Sequence, residues 1–258
     1  MGAAVQNLGW AALRLVDHLG KMAVFAGQIG RALLTPPIRF RRFVQELFNI
    51  GVLSLIIICV CGIAVGMVLG LQGYHTLTRF GAEQSLGAVV GLSLIRELGP
   101  VLTALLATGR AGSATAAEIG TMVATEQLDG LRMMSVNPIH LVVTPKALAM
   151  LAVMPLLSAL FIVSGLAGGY FVGVELMGLD GGSYVSSLEN AVTFRDDIAG
   201  SLLKALVFGA LVGLIATYRG YTSAPTSAGV SAATTSTVVV ASVTVLIFDY
   251  FITALWGV

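Results

Sequence analysis

Two adjacent charges and a proline lie inside a long apolar stretch of this sequence. Between residues 84 and 109, Arg96 and Glu97 are the only charged side chains, although about 20 residues suffice to cross a bilayer. A charge at mid-bilayer depth costs about 2.5 kcal/mol or more. Pro100 has no N–H to donate to the carbonyl of Arg96, four residues earlier. We therefore expect this turn to face protein or a polar cavity, since hydrocarbon offers these groups no partner.

Two further charges, Lys204 and Asp249, lie in apolar stretches closer to the C-terminus. An unpaired buried charge is strongly destabilising. The simplest interpretation is therefore a structural ion pair between the two segments that contain these residues. A gate or a proton relay is the alternative.

The composition is that of an integral membrane protein. Of the 258 residues, 57% are hydrophobic and 10% are charged, whereas soluble domains carry about 25% charged residues. The net charge of +1 gives no indication of a nucleic-acid partner. The chain has no G-x-x-x-x-G-K-[ST] phosphate loop, and its three histidines lie in separate regions, so no metal site is expected. We predict that the chain is not an enzyme and holds no cofactor of its own.

Five apolar segments position these charges, and we predict them to be transmembrane helices at residues 51–71, 85–108, 147–174, 198–218 and 236–257. Lys and Arg concentrate in cytoplasmic loops. With the N-terminus in the cytoplasm, most basic residues fall on the cytoplasmic side. The loop at residues 175–197, with five acidic residues and one arginine, then lies outside. We predict an all-α membrane domain over residues 49–258, with its C-terminus outside.

Residues 1–48 are predicted to form helices on the membrane surface rather than a span. Arg14, Asp17 and Lys21 begin a polar stripe on an otherwise apolar helix, and a basic amphipathic segment follows Pro36 and Pro37. Basic amphipathic helices lie in the headgroup plane. Packing against the protein's own cytoplasmic surface is the alternative.

Residues 110–146 form the longest predicted cytoplasmic segment, but their composition is not that of a loop. Helix-forming residues dominate residues 111–134, and we expect a short amphipathic helix over residues 118–134. Its mixed-charge face carries Glu118, Glu126, Asp129 and Arg132, alongside Met122. Such a helix suits docking of a separate protein, or it caps the end of the bundle.

An apolar stripe continues beyond the first predicted span. Leu69, Gly73, Thr76, Leu77 and Phe80 fall on one side of the helix if it extends that far. The stripe would then line an apolar chamber that opens outward. Ordinary core packing explains the same pattern equally well.

Four stretches resemble the permease subunit of bacterial Mla-type phospholipid ABC transporters, the family that works with MCE-domain proteins. They are residues 66–74 (GMVLGLQGY), 94–105 (LIRELGPVLTAL), 109–128 (GRAGSATAAEIGTMVATEQL) and 225–235 (PTSAGVSAATT). The resemblance extends from about residue 40 to the end of the chain, and residues 96–127 are its most specific part.

The resemblance implies a homodimeric permease in the bacterial inner membrane, with its C-terminus in the periplasm. Its expected partners are a nucleotide-binding ATPase that holds ATP and Mg, a STAS-domain subunit on the ATPase, and a hexameric MCE-domain subunit on the periplasmic side. Its expected substrate is a phospholipid, held in a chamber between two permease copies. Its expected role is to maintain the lipid asymmetry of the outer membrane.

The resemblance also implies roles for particular residues. The expected substrate-binding residues are Leu69, Leu77, Phe80, Arg96, Glu97 and Leu98. The expected contacts with the ATPase are Glu118, Met122, Glu126, Gln127, Asp129 and Arg132. An ion-coupled secondary transporter that uses Glu97 or Asp249 as its proton site is the alternative function, although no internal repeat typical of such proteins is visible.

Overall fold

The described part of the chain is built from helices alone. The structure is a computed structural model that describes residues 2–34 and 40–256. Its helices are α1 (Gly2–Leu34), α2 (Phe40–Ile50), α3 (Leu55–Thr78), α4 (Leu86–Ser93), α5 (Gly99–Ala107), α6 (Ser113–Ala124), α7 (Gln127–Met133), α8 (Thr144–Tyr170), α9 (Gly181–Ala191), α10 (Ala199–Tyr221) and α11 (Ser227–Trp256). The predicted all-α class is therefore confirmed. Pro36 and Pro37, which precede the predicted amphipathic segment, lie outside the described residues.

Five helical stretches among these residues are long and apolar enough to cross a membrane. They are Phe40–Thr78, Glu83–Ala124, Ile139–Leu176, Phe194–Tyr221 and Ser227–Leu255. The number of spans agrees with the prediction; each stretch begins before the predicted segment, and the first four also end after it. The direction in which the chain crosses the membrane stays a prediction.

The segment after the second predicted span differs from expectation. Helix does not stop at residue 108: a π-helical turn, Thr108–Gly112, leads directly into α6. The single helix expected over residues 118–134 is wrong, because α6 ends at Ala124 and α7 begins at Gln127. Glu126 between them has φ 57°, a left-handed conformation that a right-handed helix cannot contain. Helix propensity alone did not reveal this break.

A π-helical turn also accommodates Pro100 in the middle of the second stretch. The turn covers Leu94–Leu98, and the N–H of Gly99 donates to the carbonyl of Leu94, five residues earlier. Pro100 then occupies the second position of α5, where a missing N–H is tolerated. The chain crosses this region as two helices, α4 and α5, joined by one wide turn.

A seam of glycines holds α3 against α8. Gly62, Gly66 and Gly70 of α3 are buried at four-residue spacing, and a Cβ added to Gly66 would overlap the carbonyl of Gly165 on α8. Small residues of this kind let two membrane helices approach closely. Helix α8 also packs on α10, the span with the largest buried share among the described residues, so α8 lies in contact with both α3 and α10.

The close contact of α3 and α8 at the glycine seam predicts that even a methyl side chain added there lowers the stability of the fold. We expect Gly66→Ala to lower the free energy of unfolding by about 1–3 kcal/mol, the usual cost of overpacking, because the added methyl meets backbone rather than a movable side chain. Thermal unfolding of the detergent-solubilised chain measures this loss. Gly27→Ala in α1 is the matched control, because an added methyl there meets no atom within 4 Å. Equal melting temperatures for the two variants would contradict the prediction.

Candidate functional site

The amino group of Lys204 lies at the centre of a polar cluster between three helical segments. Its Nζ atom donates to the Arg96 carbonyl at 2.9 Å, to Glu97 Oε1 at 2.9 Å and to Thr253 Oγ1 at 2.8 Å. Asp249 Oδ1 lies 3.5 Å away as a longer ion contact. We call Arg96, Glu97, Lys204, Asp249 and Thr253 the lysine cluster. It ties α10 both to the turn before α5 and to α11.

The proline break explains why the ammonium binds a backbone carbonyl. Pro100 cannot donate to the carbonyl of Arg96, which would leave a polar group without a partner inside an apolar span. Lys204, from 108 residues along the chain, supplies the missing donor. An ammonium group has three donors, and Lys204 uses all of them on the Arg96 carbonyl, Glu97 and Thr253. The carbonyl that Pro100 leaves without a donor and the ammonium of Lys204 therefore satisfy each other's hydrogen bonding.

Arg96 turns away from its neighbour Glu97. Its Nε donates to Asp197 Oδ1 at 2.6 Å, and the carboxylate of Asp197 is fully buried. Asp197 Oδ2 also accepts from the backbone N–H of Thr193 at 2.6 Å and from its hydroxyl at 3.0 Å. Asp197 thus caps the start of the fourth span and anchors Arg96 at once. Among the described residues, the two Nη groups of Arg96 have no hydrogen-bond partner.

A small cleft opens beside the lysine cluster. Arg96, Glu97, Ser201, Lys204 and Thr253 contribute to its lining. Its water-accessible volume is about 20 Å³, which is room for about one water molecule. A ligand could reach Glu97, which has 41% of its side chain exposed, the outer part of Arg96, and the exposed Asp196 at the edge of the cleft. The cleft of a single chain is therefore lined by charged residues, reachable and too small for a lipid.

The apolar residues predicted to bind substrate occupy other positions. Leu69, Leu77 and Leu98 are partly buried and pack against the main core, as the core-packing interpretation expects, while each keeps some exposed surface. Phe80 lies just beyond α3 and is 79% exposed. Helix α3 packs mainly on α8 and α4, whereas Glu97 bonds to α10 and α11. Their role in substrate binding stays a prediction.

The residues predicted to contact a partner protein lie on α6, on α7 and in the turn between them. Glu118 binds Lys146 with 2.7 Å between Oε2 and Nζ. Asp129 Oδ1 lies 2.6 Å from Arg132, and Arg132 also donates to the Tyr221 hydroxyl at 2.6 Å. This contact with Tyr221 raises the pKa of Arg132, so the side chain stays charged.

The same region offers both a packed side and an open side. Met122 packs with a small core formed by Ile119, Leu128, Leu141 and Val142, which supports the capping interpretation for that side chain. The exposed positions include Glu126, Gln127, Asp129, Arg132, Met133 and Met134. Mixed charges beside exposed methionines suit an adaptable protein contact.

Three features of the site escaped prediction from the sequence. Asp197 pairs with Arg96 across 101 residues, and Thr253 joins Lys204 to Glu97. Lys146, assigned to a cytoplasmic segment, lies inside α8 and is buried. A capping arrangement of Thr193 and Asp197 was the only local signal for any of them.

The fold and the lysine cluster together indicate the class of protein to which this chain belongs. Five apolar helices that enclose charged residues form a polytopic membrane protein of the transport type, because a simple anchor needs no charge within its spans. The family model described as "Permease MlaE" matches residues 43–255, and the chain belongs to this family.

Similar proteins cover nearly the whole chain. It is 48% identical over 254 residues to the intermembrane phospholipid transport system permease protein MlaE of Haemophilus influenzae, covering 94% of this chain and 97% of the relative. A probable ABC transporter permease protein of Rickettsia bellii is 40% identical, with coverage of 97% and 96%. The chloroplastic protein TRIGALACTOSYLDIACYLGLYCEROL 1 of Arabidopsis thaliana is 31% identical, with coverage of 95% and 70%.

The geometry of the lysine cluster predicts that removing the charge of Lys204 greatly lowers the stability of the fold. We expect Lys204→Met to lower the free energy of unfolding by about 3–5 kcal/mol, because Glu97, Asp249 and the Arg96 carbonyl lose their shared donor inside the protein. Thermal unfolding in detergent measures it. Lys21→Met is the matched control, since the Lys21–Asp17 pair is exposed and such pairs contribute about 0–1 kcal/mol. A melting temperature no lower than that of the control would refute the central role of Lys204.

Proposed function

We propose that this chain is the membrane-spanning subunit of an ATP-driven phospholipid transporter in the bacterial inner membrane. The observation that carries the proposal is a reachable charged site, Arg96 and Glu97, set among otherwise apolar spans. A phospholipid is itself a charged headgroup on apolar tails, so it matches this combination. The name of the Haemophilus relative, a phospholipid transport permease, supports the same substrate.

The substrate chamber lies between two copies of the chain. One copy offers a cleft of about 20 Å³, so the volume for a lipid must come from a second surface. Helix α11 favours a facing copy: it carries Asp249 and Thr253 of the lysine cluster. Only 11% of its most apolar window is buried, against 50% for the fourth span. Val243, Ile247 and Phe251 extend this exposed apolar surface.

The charged residues and the apolar residues bind different parts of the lipid. Its phosphate lies near the open Nη groups of Arg96, with Glu97 beside it. Its tails pack on Leu69, Leu77, Phe80 and Leu98 across the two copies. Lys204 holds Glu97 from behind and does not itself touch the lipid, because its three donors are already used.

ATP hydrolysis belongs to a separate subunit. The Rickettsia relative is named as an ABC transporter permease, and this chain has no phosphate loop of its own. The ATPase, which binds ATP and Mg and carries the STAS-domain subunit, docks on the exposed residues of α6, α7 and the turn between them.

A hexameric MCE-domain subunit receives the lipid on the periplasmic side. Closure of the ATPases moves α6 in both copies, and the chamber then collapses and expels the lipid. This system maintains the lipid asymmetry of the outer membrane.

Lipid transfer by the reconstituted complex tests this function. We expect Glu97→Ala and Phe80→Asp each to reduce ATP-dependent transfer of a fluorescent phospholipid between vesicles about tenfold or more, equivalent to about 1.4 kcal/mol of lost interaction. Glu189→Gln, an exposed carboxylate on α9, is the control and should transfer lipid like the wild type. Unchanged transfer in both test variants would show that Glu97 and Phe80 do not belong to the substrate site. Transport that does not require ATP and depends on a pH gradient would favour the ion-coupled alternative.

A further inference from the structure

A second buried lysine, Lys146, joins three helices near the C-terminal end of the second helical stretch. It belongs to α8, and its side chain is 3% exposed. Its Nζ atom lies 2.8 Å from Glu46 Oε1 on α2 and 2.7 Å from Glu118 Oε2 on α6. Two carboxylates thus share one buried ammonium. The substrate site described above uses none of these three residues.

Further polar contacts hold helix α2 against the bundle. Arg42 Nη1 donates to the carbonyl of Leu141 at 3.2 Å, just before α8. Arg110 Nη1 donates to the backbone carbonyl of Asn49 at 3.2 Å. Phe43 and Leu47 pack on the main core, and Ile50 is part of it. The side of α2 that carries Glu46 and these apolar residues therefore faces the protein.

The opposite side of α2 is apolar and exposed. Phe40, Val44 and Phe48 recur at four-residue spacing and point away from the bundle. An apolar stripe beside the first span suits the boundary between headgroups and acyl chains. Helix α2 thus has one side in contact with the bilayer and the other held by charges of the second and third spans.

The shared ammonium makes the positions of α2 and α6 interdependent. The ammonium of Lys146 is buried although the side chain of Glu118 is half exposed, and a buried charge that loses a partner is strongly destabilised. A shift of α6 that keeps Glu118 on Lys146 carries α8 with it, and Lys146 carries Glu46 and α2. Arg110, in the π-helical turn just before α6, adds a second connection to the C-terminal end of α2.

We infer that Lys146 is a positioning residue that transmits movement of α6 to α2 and α8 at the membrane surface. This inference rests on the proposed function, in which an ATPase drives α6. It assigns α2 a moving part in transport rather than the role of a passive surface anchor. The ion contact Glu46–Lys146–Glu118 is the link between the ATPase-docking region and the bilayer.

Glu46→Gln is the decisive variant, because it removes the ion contact between α2 and Lys146 and leaves a charge-balanced Lys146–Glu118 pair. We expect its ATP-dependent phospholipid transfer to fall about fivefold or more, the lower end of typical coupling between sites, while ATP hydrolysis by the complex stays near the wild-type rate. The measurement uses the complete complex in vesicles of phosphatidylethanolamine and phosphatidylglycerol. Asp17→Asn, which removes the acid of an exposed pair on α1, should change neither rate.

Substitutions of the lysine itself separate coupling from folding. We expect Lys146→Met to uncouple hydrolysis from transfer at least as strongly as Glu46→Gln, and Lys146→Arg to recover part of the transfer because it keeps the charge. A proportional fall of both rates, or no fall in either, would overturn the inference. Absence of ATP-dependent transfer by the wild-type complex would instead overturn the proposed function.

A distance measurement tests the link without relying on transfer. Spin labels on Gln45 and Thr121, both exposed, report the separation of α2 and α6 with and without a trapped ATP analogue. We expect one separation in both states for the wild type and a nucleotide-dependent change in Glu46→Gln. A wild-type separation that changes with nucleotide would show that the two helices move independently, contrary to the inference.

Discussion

A buried ammonium in an apolar bundle must be fully satisfied, and this requirement at Lys204 organises the membrane domain. The amino group binds a carbonyl that Pro100 leaves free, a carboxylate and a hydroxyl. These partners come from the interrupted second span and from α11, so α10 cannot occupy its central position unless both are in place. The proline break, which would be a defect in isolation, becomes the acceptor that the lysine needs.

The second buried lysine follows the same rule with a different outcome. Lys146 also has its charge balanced by carboxylates, but these belong to α2 and α6, and neither carboxylate lines the cleft. Lys204 therefore stabilises the region beside the substrate site, while Lys146 connects α8 to α2 and α6. Because the polar groups are satisfied internally, the outer sides of α2 and α11 remain apolar and free to face lipid or a second copy.

Much of this could be predicted from the chain because the governing signals are local. Hydropathy defines five spans, and the coincidence of Arg96, Glu97 and Pro100 marks the interrupted helix and its free carbonyl. The errors are also local in origin. Helix propensity does not register the left-handed Glu126. The third span was predicted to begin just after Lys146, although two carboxylates keep that lysine buried in α8. The third helical stretch therefore begins earlier than its hydropathy indicates.

The membrane class and the number of spans follow from composition, the family from short motifs, and the residues that need polar partners from their spacing along one helix. All of these can be read from the order of the amino acids. Which partners those residues have depends on how the helices pack in three dimensions. Asp197 for Arg96 and Glu97 for Lys204 lie 101 and 107 residues away. Helical periodicity shows which face a charge occupies but not which helix packs there. That choice follows from close packing, such as the glycine seam between α3 and α8.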